Sequence, residues 1–320
     1  GIIVMFAATF LDYRLYKDFA NSAYLIVMLA LVGVLFFGVE RNGARAWYEL
    51  PGVTFQIQPA EFAKVAVVVA LAAFVANQGG RLRLVTLSNA YLMLAVPLGL
   101  IYLQPDLGTM LVFVAIGMGV LLVAGAQLKH IFVTTVIGII VVVAVFNSDN
   151  LGGPELLRES QEQRLTAFLD PGFDVRGASY NVNQSQIAIG AGGFRGQGWL
   201  QGTQTNLNLV PEQETDFIFT ALGEEFGFVG VTLLLLLYAY MLARIWFIAR
   251  ASNDLFGAFA CVGALSMFTF QIFQNIGMTM GLMPITGIPL PFLSHGGSST
   301  VVAFGLIGLV VNVSARRHLT

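Results

Sequence analysis

Nine mostly apolar stretches divide the chain: 2–14, 22–39, 61–77, 88–103, 106–125, 130–147, 225–248, 255–279 and 296–314. An α-helix needs about 20 residues to cross a hydrocarbon core of roughly 30 Å, and most of these stretches approach that length. Lipid offers no partner to a backbone N–H or C=O, so a segment placed there must close its own hydrogen bonds. The expected fold class is therefore an all-α polytopic membrane protein. Only 11% of the 320 residues are charged, where an average soluble domain carries about a quarter. That excludes a soluble enzyme and a disordered chain. The net charge of −2 gives no reason to expect a nucleic-acid partner. Cys261 is the single cysteine, which excludes a disulfide framework and a Cys-based zinc site.

Orientation follows the positive charges. Alternate connections carry Arg14 and Lys17, Arg81 and Arg83, Lys129, Arg244 and Arg250, and the tail Arg316 and Arg317. The short connections on the other side hold only Arg41 and Arg45, both within 40–60. This places the C-terminus in the cytoplasm and the long loop 148–213 outside. The first stretch begins inside an apolar run, so a tenth helix before residue 1 is expected. The whole of 1–320 reads as a single membrane domain with 148–213 as its large extracytoplasmic loop.

Polarity concentrates in a few places. Within 148–213, the segment Glu155–Leu169 reads as an amphipathic helix, with Leu156, Leu157, Leu165, Phe168 and Leu169 against Arg158, Glu159, Glu162 and Arg164. Tyr180–Ser185, which includes Gln184, precedes six glycines between Gly190 and Gly202. Such density permits sharp turns and close backbone approach, although a flexible loop has the same composition. Then come Glu212, Glu214, Asp216, Glu224 and Glu225, at the mouth of an apolar helix. Thr215 is a candidate cap for a helix starting at Asp216. Asp216 is followed by Phe-Ile-Phe, which sets its carboxylate at the boundary between water and apolar surroundings, where its pKa rises and it can act as a base.

Charges inside spans are costly and are usually paired or functional. Glu61 and Lys64 are three apart on one helix and share a face. Asp106 follows Pro105 at the break between two spans and reads as a helix cap or as a reacting group. Between the last two spans, Gly281–Gly297 contains four Gly and three Pro, with Ser294, His295, Gly296 and Gly297 at its end. Its path must be fixed and non-helical at membrane depth, which is tolerated only against protein or a cavity.

These blocks resemble the SEDS family (shape, elongation, division and sporulation proteins). The matching runs are Gln58–Lys64, Gln104–Thr109, Pro211–Gly227, Gly287–Ser298 and the block around Asn42–Trp47, in order through nearly the whole chain. Leu11–Arg14 and Gly202–Gln204 are more similar to the RodA-like elongation branch than to the FtsW-like division branch. Two departures stand out: Ala46 occupies the family's usual Arg before Trp47, and Ala60 its usual Ser before Glu61. The family has ten membrane helices. The resemblance implies a peptidoglycan glycosyltransferase that polymerises lipid II, a disaccharide-pentapeptide on undecaprenyl pyrophosphate. It would act at the outer face of the bacterial cytoplasmic membrane. Asp216 would be the catalytic base. Glu61, Lys64, Asp106, Arg45, Gln184, Ser294, Gly296 and Gly297 would bind substrate. Positive charge for the pyrophosphate would come from Lys64, an outer-loop Arg or a divalent cation (Mg or Mn). A class B penicillin-binding protein, which cross-links the strands, and other elongation-complex proteins are the implied partners. Two rival readings stay open: a lipid II flippase, and a non-catalytic scaffold for a transpeptidase.

Overall fold

The computed structural model describes residues 1–41, 44–49, 56–79, 82, 84–146, 159–169, 178–207 and 209–316. The first expected span is interrupted. It forms α1 (Ile2–Phe10) and the short α2 (Tyr13–Asp18), which starts where the Asp12 side chain accepts from Arg14 N. Helix α3 (Ala20–Phe37) follows. The connection after it is not a plain loop: β1 (Val39–Arg41), β2 (Ala44–Glu49) and β3 (Gln56–Ile57) form a small antiparallel sheet in that order. The sequence reading foresaw no strand there, because three-residue ladders leave almost no alternation to detect.

Helix α4 (Pro59–Asn77) has Pro at its start, where the missing N–H costs nothing. It is rich in Ala and Val and lies in the middle of the bundle, with 78% of its apolar window buried. Small side chains let neighbouring backbones approach, which is the main attraction available between helices in lipid. Helices α5 (Leu84–Tyr102) and α6 (Leu107–Val123) are separated at Gln104–Asp106. Asp106 caps α6: it accepts from Thr109 N at 2.9 Å and from Thr109 Oγ1 at 2.7 Å. Helix α7 (Leu128–Phe146) follows.

The long loop carries helices of its own. Helix α8 (Glu159–Leu169) covers the described part of the expected amphipathic segment, and 155–158 lie outside the described residues. Helix α9 (Ala178–Gly192) and the single turn α10 (Thr203–Asn206) were not foreseen. Helix α11 (Ile218–Ala251) runs 34 residues with a break at Gly227, followed by α12 (Leu255–Thr279) and α13 (Gly297–Arg316). Among the described residues, six helices are long and apolar enough to cross a membrane, and 107–123 and 128–138 are shorter apolar helices. Only 11% of the apolar window of α11 is buried, so most of it faces outward, whereas α12 is 67% buried. The chain is an all-α polytopic membrane protein built around α4 and α12.

The glycines before α10 have a structural task. Gly227 has φ +61, which opens two amide–carbonyl positions in α11. The 193–198 loop fills them: Phe228 N donates to Gly193 O at 2.9 Å and Val229 N to Phe194 O at 3.2 Å, while Gly198 N donates to Glu225 O and Gln197 N to Glu224 O, both at 3.0 Å. A Cβ at Gly196 would sit 2.1 Å from Glu225 O, so backbone meets backbone with no room for a side chain. The segment is pinned to α11 and is not a free loop.

Candidate functional site

The segment between α12 and α13 carries two polar clusters, one at each of two depths. Tyr238, midway along α11 beyond its break, donates to Pro291 O at 2.6 Å. Phe292 packs on Phe268, in the middle of α12, with ring centroids 5.6 Å apart. The 289–292 stretch therefore descends to the middle of the bundle, the non-helical path at depth that its Gly and Pro content requires.

The first cluster lies at the mouth of α11. The helix begins at Ile218, with Phe217 as its N-cap and no capping side chain. Thr215 does not cap it: its Oγ1 turns back to Glu212 O at 3.1 Å and Glu212 Oε2 at 3.1 Å. Glu212 sits at φ +53, and its carbonyl accepts from the amides of Thr215, Asp216 and Phe217 at 3.1–3.2 Å. This tight turn fixes Asp216. Asn275 of α12 holds it from below, donating through Nδ2 to Asp216 O at 2.8 Å and to Ile288 O at 2.8 Å. His295 N donates to Glu214 O at 2.8 Å, tying the same turn to the end of the re-entrant segment.

Gly287 forms the floor. It has φ +69, and a Cβ there would lie 3.1 Å from Asp216 Oδ2 and 3.9 Å from Arg164 Nη1. A side chain would occupy the space beside the carboxylate. Gly108, in the first turn of α6, is pressed closer still to the segment, a Cβ there falling 2.5 Å from Thr286 O, which brings the Asp106 cap to the same place. Burial is the largest cause of a raised Asp216 pKa; Glu212 adds to it, Arg164 opposes it and Asp106 adds a little more, so the acid is pushed up to about 6. Its conjugate base is thus stronger than an ordinary carboxylate and still populated near neutral pH.

The second cluster lies deeper. Glu61 and Lys64 form the pair that their spacing suggests, with Lys64 Nζ donating to Glu61 Oε1 at 2.6 Å. Lys64 is only 1% exposed and Glu61 only 3%. Glu61 and Ser294 line one narrow crevice with Gln271 and the 289–292 stretch. The Ser294 hydroxyl accepts from Leu290 N at 2.7 Å, which holds that stretch in its turn. Lys64 therefore points at Glu61, and among the described residues the exposed cation beside Asp216 is Arg164 of α8.

The remaining candidates are dispersed. Arg45 lies on β2, half-exposed, 3.7 Å from Glu40. Gln184 is partly buried on α9 and makes no hydrogen bond to Asp216 among the described residues. Gly296 and Gly297 start α13, where a Cβ at Gly296 would strike Ser299 Oγ. Glu224, fully buried, accepts from Gln204 N at 2.7 Å, Thr205 N at 2.9 Å and Thr205 Oγ1 at 2.5 Å, so this carboxylate fastens α10 to α11. Arg164, Asn275 and Gly287 were not among the expected site residues. Each owes its place to the tertiary path of the 281–297 segment, which no local spacing encodes. Among the described residues, no group of three or more His, Cys, Asp or Glu side chains is arranged to hold a metal ion.

The family described as cell cycle protein, FtsW/RodA/SpoVE, matches residues 1–319. The peptidoglycan glycosyltransferase MrdB of Escherichia coli K12 is 37% identical over 322 residues, covering 100% of this chain and 84% of that protein. Stage V sporulation protein E of Bacillus subtilis is 37% identical over 325 residues, covering 98% and 84%. A chain of a peptidoglycan synthase complex that coordinates polymerization and crosslinking superposes with a TM-score of 0.84 at 33% identity, over 100% of this chain and 88% of that one. The rod shape determining protein RodA of Thermus thermophilus superposes with a TM-score of 0.71 at 30% identity, over 99% and 85%. Matched along its whole length by sequence and by fold, this chain belongs to the FtsW, RodA and SpoVE family of cell cycle proteins.

Proposed function

We propose that the chain is a peptidoglycan glycosyltransferase that polymerises lipid II into glycan strands during cell elongation, at the outer face of the bacterial cytoplasmic membrane. The names of its full-length relatives support the activity. The charge distribution supports the orientation: Asp216 precedes α11 at one end, whereas Arg250 ends α11 and Arg316 ends α13 at the other. The observation that carries the mechanism is the Asp216 turn, a carboxylate with a pKa of about 6 over a side-chain-free floor at the mouth of a membrane helix.

In the reaction, Asp216 takes the proton from the acceptor sugar's 4-hydroxyl. That oxygen attacks the anomeric carbon of the donor. The bond from that carbon to the pyrophosphate oxygen breaks, and undecaprenyl pyrophosphate leaves with inversion. Such base assistance contributes about 10²–10⁴-fold. Arg164 faces the charge that develops on the leaving phosphates. The carboxylates at this end suit a divalent cation held mainly by the pyrophosphate with one or two protein oxygens, the usual arrangement for Mg²⁺; when bound, the ion would neutralise leaving-group charge. The buried Glu61–Lys64 pair and Ser294 hold the re-entrant segment under the acceptor. A class B penicillin-binding protein is the expected partner, in keeping with the fold match to a synthase complex. The test is polymerisation of purified lipid II by the Asp216→Ala protein. Glycan strands made at near wild-type rate would overturn the assignment. Lipid II movement across liposomes without polymer would favour a flippase.

A further inference from the structure

The glycine loop pinned to the break in α11 ends in a tight turn whose tip is apolar and exposed. Gln201 N donates to Gly198 O at 3.1 Å, which closes the turn over Trp199 and Leu200. Leu200 takes φ +58, a conformation that turns ordinarily give to Gly or Asn. Trp199 is 73% exposed, Leu200 70%, and Phe194 on the same loop 66%. The turn is braced in this position by α10. Gln197 Oε1 accepts from Thr203 N at 3.0 Å and from Thr203 Oγ1 at 2.9 Å, and Asn206 Nδ2 donates to Leu200 O at 2.9 Å. A backbone in an unfavourable conformation thus presents large apolar side chains that make few contacts with the described residues. Such a feature marks a surface that meets something apolar outside the protein.

Its height on α11 identifies what it meets. From Phe226 to Ala243 the helix carries no charge, about 27 Å at 1.5 Å per residue, close to the roughly 30 Å of a hydrocarbon core. Glu224 and Glu225 stand just before this run and Arg244 just after it. The loop is fastened at the glutamate end, through the bonds of Gly198 N to Glu225 O and of Phe228 N to Gly193 O. The Phe194 ring stacks on Phe228 with centroids 5.8 Å apart, and both rings are exposed. Apolar surface therefore continues from the outward side of α11, which faces lipid, onto the loop. Arg195, next to Phe194, is also exposed. Aromatic and basic side chains together at the end of a span are the composition of a membrane–water interface.

We propose that the 194–200 segment is a lipid anchor: Phe194, Trp199 and Leu200 enter the bilayer leaflet on the Asp216 side of the protein, at the boundary between headgroups and hydrocarbon. Ile218 lies eight residues before Phe226, about 12 Å along the helix. A headgroup layer is about 5–8 Å thick, so an anchor at this boundary places the Asp216 turn at the outer limit of the headgroups or beyond it. The inference holds whichever reaction Asp216 performs.

The experiment reads the fluorescence of Trp199 in the full chain, reconstituted in nanodiscs of phosphatidylethanolamine and phosphatidylglycerol. Trp47→Phe and Trp246→Phe leave Trp199 as the single indole. Quenchers are lipids brominated near the carbonyl, lipids brominated near the chain end, and iodide in the water. Bromines near the carbonyl are expected to quench strongly, those near the chain end weakly and iodide least, with emission shifted to shorter wavelength than that of N-acetyltryptophanamide. Leu200→Trp in a Trp199→Phe background should give the same ranking. Melting temperatures show whether the Trp47→Phe, Trp246→Phe protein folds; if it does not, the difference between wild type and Trp199→Phe isolates the same signal. Quenching by iodide without quenching by either brominated lipid puts the turn in water and overturns the anchor. Protection from iodide and from both lipids also overturns it and assigns the tip to a protein surface. Strongest quenching by chain-end bromines overturns the placement at the boundary.

Discussion

The Asp216 turn and the Glu61–Lys64 pair lie against the same re-entrant segment, yet their surroundings are opposite. Asp216 is partly buried, faces carboxylates at Glu212 and Asp106, and has, among the described residues, the cation of Arg164 at its side. Lys64 and Glu61 are almost wholly enclosed and neutralise each other at 2.6 Å. Burial, and after it the like charge of Glu212, makes Asp216 hold a proton more tightly than an ordinary carboxylate, so that it exchanges near pH 6, as a base working near neutral pH needs. A buried ion pair cannot exchange partners without leaving a charge stranded, which suits a fixed structural joint. The proposed assignment thus divides these charges between chemistry at the open mouth of α11 and architecture in the enclosed interior.

Substitutions separate the two uses. Asp216→Ala is expected to lower polymerisation by about 10²–10⁴-fold while the melting temperature in detergent hardly moves. Lys64→Met should do the reverse in order of cause. It strands Glu61 in the core of α4 and lowers stability by about 3–5 kcal/mol, and activity is lost because the fold is lost. The double substitution Glu61→Leu with Lys64→Met should recover most of that stability, since an apolar pair of similar volume is often neutral. A folded, inactive double variant would break the comparison, because it would give the deep pair a part in the chemistry. Glu224→Gln should come next. It weakens the three bonds that hold α10, costs about 1–3 kcal/mol, and raises hydrogen exchange across 203–206 first.

Much of this arrangement was legible in the residues. Eight of the nine apolar stretches fall on the long helices α3–α7 and α11–α13, because about 20 consecutive apolar residues have few other fates. The spacing of Glu61 and Lys64 anticipates their pairing, and Pro105 before Asp106 anticipates the cap. Three features were not legible. The 39–57 sheet has strands of two to six residues, too short for a periodic signal. Helix α9 carries Asn181, Asn183, Gln184, Ser185 and Gln186 on a scaffold that packs through Ala188 and Gly192, so polarity hides a half-buried, packed helix. Arg164 and Gly287 meet Asp216 only because the 281–297 segment doubles back, and that contact is made by tertiary packing alone. The glycine run before α10 reads equally as mobility or close approach until the break at Gly227 shows what it approaches.

The smallest effects are the sharpest on mechanism, since they concern a proton. A base with a pKa of about 6 makes kcat/KM fall tenfold per pH unit below that value and level off above it. Arg164 lowers the Asp216 pKa, so Arg164→Ala should move the midpoint up and cost more activity at pH 6 than at pH 8. Asp106 raises it and contributes less than Arg164, so Asp106→Asn should move the midpoint down by a smaller step. Asparagine still accepts from Thr109 N, so the α6 cap and the melting temperature should be nearly retained. A pH-rate profile for each protein on purified lipid II measures both shifts. Opposite displacements place Asp106 and Arg164 as groups that tune one titrating acid. A uniform fall at every pH for Asp106→Asn, with its midpoint unmoved, would instead make Asp106 a reacting group, and the division between a working surface cluster and a supporting interior would have to be redrawn around α6.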